Sequence, residues 1–216
     1  IKILKFINTV NHLYFMRAEI FATSFLKYLK MQKIDFKYAI NAYLKLCKDM
    51  MTSQKYFLKN KKYPVDNEKL AYKNVYGNIR EMKSYMIGLA ISQFLWPSHY
   101  AMYSFFIEKI EKENSKIKNY LEVGPGHGLF LIQALEKLND NTQYEIVDIS
   151  KTSLQITRSI VDTIINKERK INYKLKNILN IRNSKKFDFI TMGEVLEHVT
   201  KPKELLIKLK NLVNDN

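Results

Sequence analysis

Apolar residues recur at intervals of three and four from Phe6 through Val10, Leu13, Phe21, Phe25 and Leu29, and again at Ile40, Tyr43 and Leu44. No glycine or proline interrupts residues 1–51, so the period predicts two or three helices there. Lys59–Asn67 breaks the pattern with a charge run and a proline, which predicts an exposed connection before a helix capped near Asp66. Helical spacing returns over Glu68–Ile79 and Glu81–Phe94, with Gly77 and Gly88 as candidate bends. Pro97 suits the first turn of a further helix running to about Glu113.

After Glu113-Asn114-Ser115 the pattern changes. Short apolar runs at Tyr120–Val123, Tyr144–Val147, Ile171–Leu175 and Phe187–Met192 predict strands, and His127–Leu138, Lys151–Asn166 and Lys201–Val213 predict helices between and after them. Strands alternating with helices imply an α/β unit with a parallel sheet and right-handed crossovers. The expected organisation is an all-helical region over residues 1–115 followed by an α/β domain over residues 116–216.

Composition narrows the class. With 46% hydrophobic residues among 216 the chain has ample material for a buried core. Cys47 is its one cysteine, so an internal disulfide is impossible and a small buried side chain is expected. The longest apolar run, Tyr85–Trp96, is broken by Ser92 and Gln93 and is too short to cross a bilayer, and a cytoplasmic location without membrane contact is expected. The net charge of +15 is concentrated in residues 1–119, with 21 basic and 9 acidic side chains, against 15 and 12 in residues 120–216. Only five of the basic residues are arginine (Arg17, Arg80, Arg158, Arg169, Arg182), whereas base readout favours the bidentate guanidinium. A solvated lysine surface is therefore expected, not a nucleic-acid site.

The chemistry is concentrated after the first strand, where Y-L-E-V-G-P-G-H-G-L-F carries glycines at alternate positions 124, 126 and 128. Strand, glycine turn and helix in that order let a ligand lie on bare backbone at the positive helix end, although the triplet alone also fits a plain βα turn. The third glycine comes one position too early for a dinucleotide fingerprint, and the carboxylate of Glu122 would repel a pyrophosphate. It suits a ligand with an ammonium group. Twenty residues after Gly128, Asp148 ends the second strand, where a carboxylate can accept from both hydroxyls of a ribose; alternatively, Asp148 or Ser150 simply caps the next helix. Beyond the fourth strand, G-E-V-L-E-H-V places Glu194, Glu197 and His198 on one face if they form a helical turn. Two acids and a histidine there suit a divalent metal, acid/base work, or a structural histidine held by a glutamate.

E-x-G-x-G-x-G, the strand-end Asp148 and E-V-L-E-H-V together resemble class I S-adenosylmethionine-dependent methyltransferases, including the ubiquinone-biosynthesis O-methyltransferases. The resemblance covers residues 117–213. It implies a Rossmann-like sheet of order 3-2-1-4 whose usual C-terminal strands are missing from this chain, which is therefore expected to be a fragment. It implies S-adenosyl-L-methionine as cofactor, with the loop Gly124, Pro125, Gly126, His127 and Gly128 beneath it and Glu122 toward its methionine ammonium. Asp148, with Ile149 beside it, would meet the ribose, Asn177 and Ile178 the adenine, and Glu194 would also bind the cofactor. Asn177 departs from the commoner aspartate. The polar aromatics Tyr85, Trp96, His99, Tyr100 and Tyr103 match a region that caps the cofactor in this family, or else pack between domains. The expected activity is methyl transfer to a small-molecule acceptor, with His198 as the base, Glu194 or Glu197 orienting it, His99 and His127 behind it, and no metal. Two alternatives stay open: a metal-dependent RNA 2′-O-methyltransferase, which also carries E-V-x-E-H, and a non-catalytic partner that keeps the fold as a scaffold.

Overall fold

A computed structural model describes residues 2–61, 78–182 and 184–214, with only the backbone described for Lys2 and Glu197. Helices α1 (Lys2–Ile7), α2 (His12–Met31) and α3 (Phe36–Asn60) form the start of the chain, as the period predicts. Asn11 and Asp35 cap α2 and α3 by accepting from Tyr14 N and Lys37 N. The expected connection Lys59–Asn67, its cap near Asp66 and the helix Glu68–Ile79 with Gly77 lie largely outside the described residues. Helix α4 (Ile79–Leu95) follows, capped by Asn78, and Pro97 opens α5 (Pro97–Glu113) directly after it.

Gly88 is not a bend but a contact point. A Cβ there would lie 2.8 Å from the carbonyl oxygen of Ala42, so α3 and α4 approach backbone to backbone. Gly88→Ala would gain roughly 1 kcal/mol of helix propensity, but the clash is with main chain and cannot be relieved by a rotamer. The expected net result is a loss of about 1–3 kcal/mol, read as a lower denaturation midpoint at unchanged m-value.

The α/β unit consists of β1 (Asn119–Val123), α6 (Leu129–Lys137), β2 (Gln143–Asp148), α7 (Lys151–Ile164), β3 (Ile171–Leu175), β4 (Phe189–Met192) and α8 (Pro202–Lys210). All strand pairs are parallel and their order is β3-β2-β1-β4. Both faces of the sheet are covered, which explains the continuous apolar character of β1. On one face Tyr120 sits opposite Tyr144 and Phe189 in adjacent strands, its ring 5.7 Å from the first and stacked at 6.2 Å on the second. That aromatic row joins a core running through Leu131 and Ile160 into Ile107, Phe94 and Tyr14 of the N-terminal helices. On the other face Leu121, Val123 and Val147 pack with Leu205 and Leu209 of α8. The helical region and one sheet face thus share a single core.

Element ends differ from expectation for local reasons. The fourth strand starts at Phe189 because Asp188 turns its carboxylate onto the amides of Lys118 (2.9 Å) and Asn119 (2.7 Å), while Phe187 pairs with Val213. Helix α6 starts two residues late because Gly128 is left-handed (φ 71°) and His127 Nδ1 accepts from Leu129 N at 3.1 Å. Helix α8 stops at Lys210 because Leu212 O accepts from Phe187 N.

Candidate cofactor and acceptor site

The strand order reverses between β1 and β4, and open α/β sheets bind ligands at the carboxyl ends of strands around such a switch point. A cleft of about 260 Å³ lies there. Its floor is the glycine loop, where Gly124, Gly126 and Gly128 all take positive φ (65°, 51° and 71°). Each has its own reason. A Cβ on Gly124 would lie 2.6 Å from Val195, so the loop after β4 presses on the loop after β1. A Cβ on Gly128 would lie 3.2 Å from Thr157 of α7, whose hydroxyl donates to Gly126 O at 2.7 Å and holds the loop from below. At Gly126, by contrast, no atom comes nearer than Gly124 O at 4.0 Å, so that position faces open space. Bare backbone facing a cleft is a cradle that a side chain would fill.

Glu122 is 2% exposed and accepts from Tyr120 Oη at 2.8 Å. Burial pushes its carboxyl up to about 8, with the tyrosine bond opposing only in part. Asp148 also lines the cleft; burial raises its pKa against bonds from Ser153, Ser150 and Ile149. Its oxygens accept from Ser150 N at 2.8 Å and Ser153 Oγ at 2.6 Å, which fix the carboxylate while leaving lone pairs for a diol. The cap of α7 is Ser150, not Asp148, because Ser150 Oγ accepts from Ser153 N. Ile149, Asn177 and Ile178 line the same cleft. Asn177 uses its side-chain oxygen to accept from Leu179 N at 2.9 Å at the head of a 3₁₀ turn, Ile178–Asn180. Pro125 O accepts from Gly128 N at 2.8 Å and closes the glycine turn. His127 is buried and neutral: desolvation first, then the neighbouring His99, lowers its pKa to about 3. With Nδ1 on Leu129 N it is a cap of α6, unsuited to accepting a proton at neutral pH.

The E-V-L-E-H-V segment departs from a continuous helical turn. Its 3₁₀ turn covers only Leu196–His198, and Glu194 precedes it in the left-handed region (φ 53°). The geometry that would put Glu194 one helical turn below Glu197 and His198 is therefore absent. Glu194 and His198 still line the cleft, both exposed, and of Glu197 only the backbone is described. Among the described residues no three His, Cys, Asp or Glu side chains converge as metal donors.

The N-terminal helices complete the walls. Met82, Tyr85, Met86 and Leu89 from α4, with His99 and Met102 from α5, line the cleft beside Phe130 of α6. Of the polar aromatics, Tyr85 and His99 thus face the site. Trp96, Tyr100 and Tyr103 pack instead: Trp96 Nε1 donates to Tyr43 Oη at 3.0 Å, Tyr100 meets Tyr14 ring to ring at 4.7 Å, and Tyr103 lies edge-on to Phe94 at 5.5 Å. The methionine wall was missed from the sequence; its only signal was the spacing of Met82 and Met86, which core residues share.

Residues 121–216 match the family model of a methyltransferase domain. The mitochondrial ubiquinone biosynthesis O-methyltransferase of Candida albicans is 31% identical over 100 residues, 46% of this chain and 30% of that protein. A solved O-methyltransferase family protein from Burkholderia thailandensis has the same fold at 17% identity and a TM-score of 0.58, over 82% of this chain and 50% of that one. That share is larger than the α/β unit alone can supply, so the common fold includes N-terminal helices. The chain spans less than a third of the length of its curated relative and half of the solved structure. Residues 121–216 are thus similar to a methyltransferase domain.

Proposed function

We propose that the protein transfers a methyl group from S-adenosylmethionine to a small-molecule acceptor held between the glycine loop and the α4–α5 wall. The observation that carries this reading is Gly126, left-handed and open to the cleft, between a buried carboxylate at Glu122 and a fixed one at Asp148. Glu122 would receive the methionine ammonium and Asp148 the ribose hydroxyls, with Ile149, Asn177 and Ile178 around the adenine. The cofactor supplies a methyl made electrophilic by its sulfonium, so the protein's part is alignment and exclusion of water. Apolar side chains of α4 and α5 favour both. His198 and Glu194, at the exposed rim, would orient the acceptor. No helix among the described residues is long and apolar enough to cross a membrane.

The test is calorimetry with S-adenosylhomocysteine. Micromolar-range binding at one site is expected, weakened at least tenfold in Asp148→Ala, whose carboxylate would hold the ribose. Absence of binding, or affinity indifferent to Asp148, would overturn the reading.

A further inference from the structure

Where α4 turns into α5, three side chains pack around His99. His99 is 7% exposed, its ring centroid lies 4.7 Å from that of Trp96, and Gln93 Nε2 donates to its backbone carbonyl. Ser92, fully buried, lies with its Oγ 2.9 Å from His99 Nδ1 and 2.7 Å from the carbonyl oxygen of Leu89. A hydroxyl has one proton, and a carbonyl oxygen can only accept. The short contact to Leu89 O therefore takes the serine proton, and toward His99 the serine oxygen can only accept. The proton between them belongs to His99 Nδ1. In a neutral imidazole that leaves Nε2 with a bare lone pair. Among the described residues Nε2 makes no hydrogen bond, and His99 lines the cleft that holds Glu122 and the glycine loop.

We infer that His99 Nε2 is the proton acceptor for the methylated hydroxyl, with Ser92 as the positioning residue that fixes its tautomer. The inference rests on the methyltransferase reading above and deepens it, by specifying an acceptor that brings an O–H group and an apolar body suited to Met82, Met86 and Met102. The acceptor oxygen attacks the methyl carbon as its own O–H bond breaks. The proton passes to Nε2, the new O–C bond forms, and the electron pair of the methyl–sulfur bond returns to sulfur, leaving a neutral thioether. One positive charge leaves sulfur as one appears on the imidazole, so the cleft's total charge is unchanged through the step. That conservation matters in a water-poor cleft, where creating a new charge is costly. Burial lowers the pKa of His99 from its ordinary value, which keeps the ring neutral and ready to accept before the reaction. His198, by contrast, lies exposed on the short turn Leu196–His198.

The experiment uses the whole chain labelled with ¹⁵N-histidine. Two-bond proton–nitrogen correlations on the free protein should show His99 as the Nδ1–H tautomer, with Nε2 unprotonated. Phenol, added as a hydroxyl probe, should shift the His99 Nε2 resonance toward that of a hydrogen-bonded nitrogen and leave His12 unmoved. Ser92→Ala should release the tautomer into a mixture, and Ser92→Thr, which restores a hydroxyl, should recover it. On phenols that the wild type methylates, His99→Gln should lower kcat at least tenfold with the cofactor KM unchanged. A proton found on Nε2, a tautomer indifferent to Ser92→Ala, or full turnover in His99→Gln would each overturn the inference. Titration of the same sample with S-adenosylhomocysteine separates the two levels. Cofactor binding with the wrong tautomer removes only the role of His99, whereas the right tautomer without cofactor binding removes the methyltransferase reading.

Discussion

Gly126→Val is expected to abolish S-adenosylmethionine binding while leaving the fold nearly as stable as before. The two effects separate because Gly126 is the glycine of the loop whose Cβ meets no neighbour. The valine side chain would project into the cleft, where the ligand must lie against bare backbone, so steric exclusion costs the whole site. Stability falls only by the strain of holding a β-branched residue at φ 51°, about 1–2 kcal/mol. The neighbouring positions form the control. Gly124→Val should chiefly damage folding, because its side chain would strike Val195 at 2.6 Å, and Gly128→Val would press on Thr157 at 3.2 Å. Calorimetry and thermal melting on the three variants give the pattern: binding lost with melting nearly kept at 126, melting lowered at 124 and 128. Retained affinity in Gly126→Val would remove the central claim.

The sheet was legible because its two signals are local. Short apolar runs at Tyr120, Tyr144 and Ile171 could be strands buried on both faces, and positive φ at three alternate glycines demanded a turn between β1 and α6. The N-terminal wall was not legible for a physical reason. Helical period tells which of Met82, Met86 and Leu89 share a face, but an apolar face looks the same whether it covers a core or a ligand. The E-V-L-E-H-V segment failed differently. Its spacing fits a helical turn, yet Glu194 is left-handed and the turn spans only Leu196–His198, with Val195 set close against Gly124, a tertiary contact that local propensity does not register. His99 stood out as a polar aromatic, but its tautomer depends on a hydroxyl seven residues away brought near by the α4–α5 corner.

Cofactor affinity is expected to rise with pH and to lose that dependence in Glu122→Gln. The carboxyl of Glu122 lies at about 8 in the free protein, so at pH 7 it is mostly protonated. An ammonium placed beside it favours the charged form, and binding must therefore expel a proton. Below the free-protein pKa, each unit of pH should strengthen binding by up to about tenfold, until the ligand's own ammonium begins to deprotonate. The same sign governs stability. A carboxyl raised above its ordinary 4.5 makes the folded chain hold more protons than the unfolded one between those two values. Its contribution to stability is full below about 4.5 and is lost as pH climbs to about 8. In Glu122→Gln the side-chain amide would still accept from Tyr120 Oη but could not ionise. Affinity at pH 8 should then fall by about ten- to a hundredfold, the worth of one charge-assisted hydrogen bond, while alkaline stability should rise. Calorimetry in two buffers of different ionisation enthalpy measures the released proton directly. Equal apparent enthalpies for the wild type in both buffers at pH 7 would mean that Glu122 does not face the ammonium, and the orientation of the cofactor in the cleft would have to be reversed.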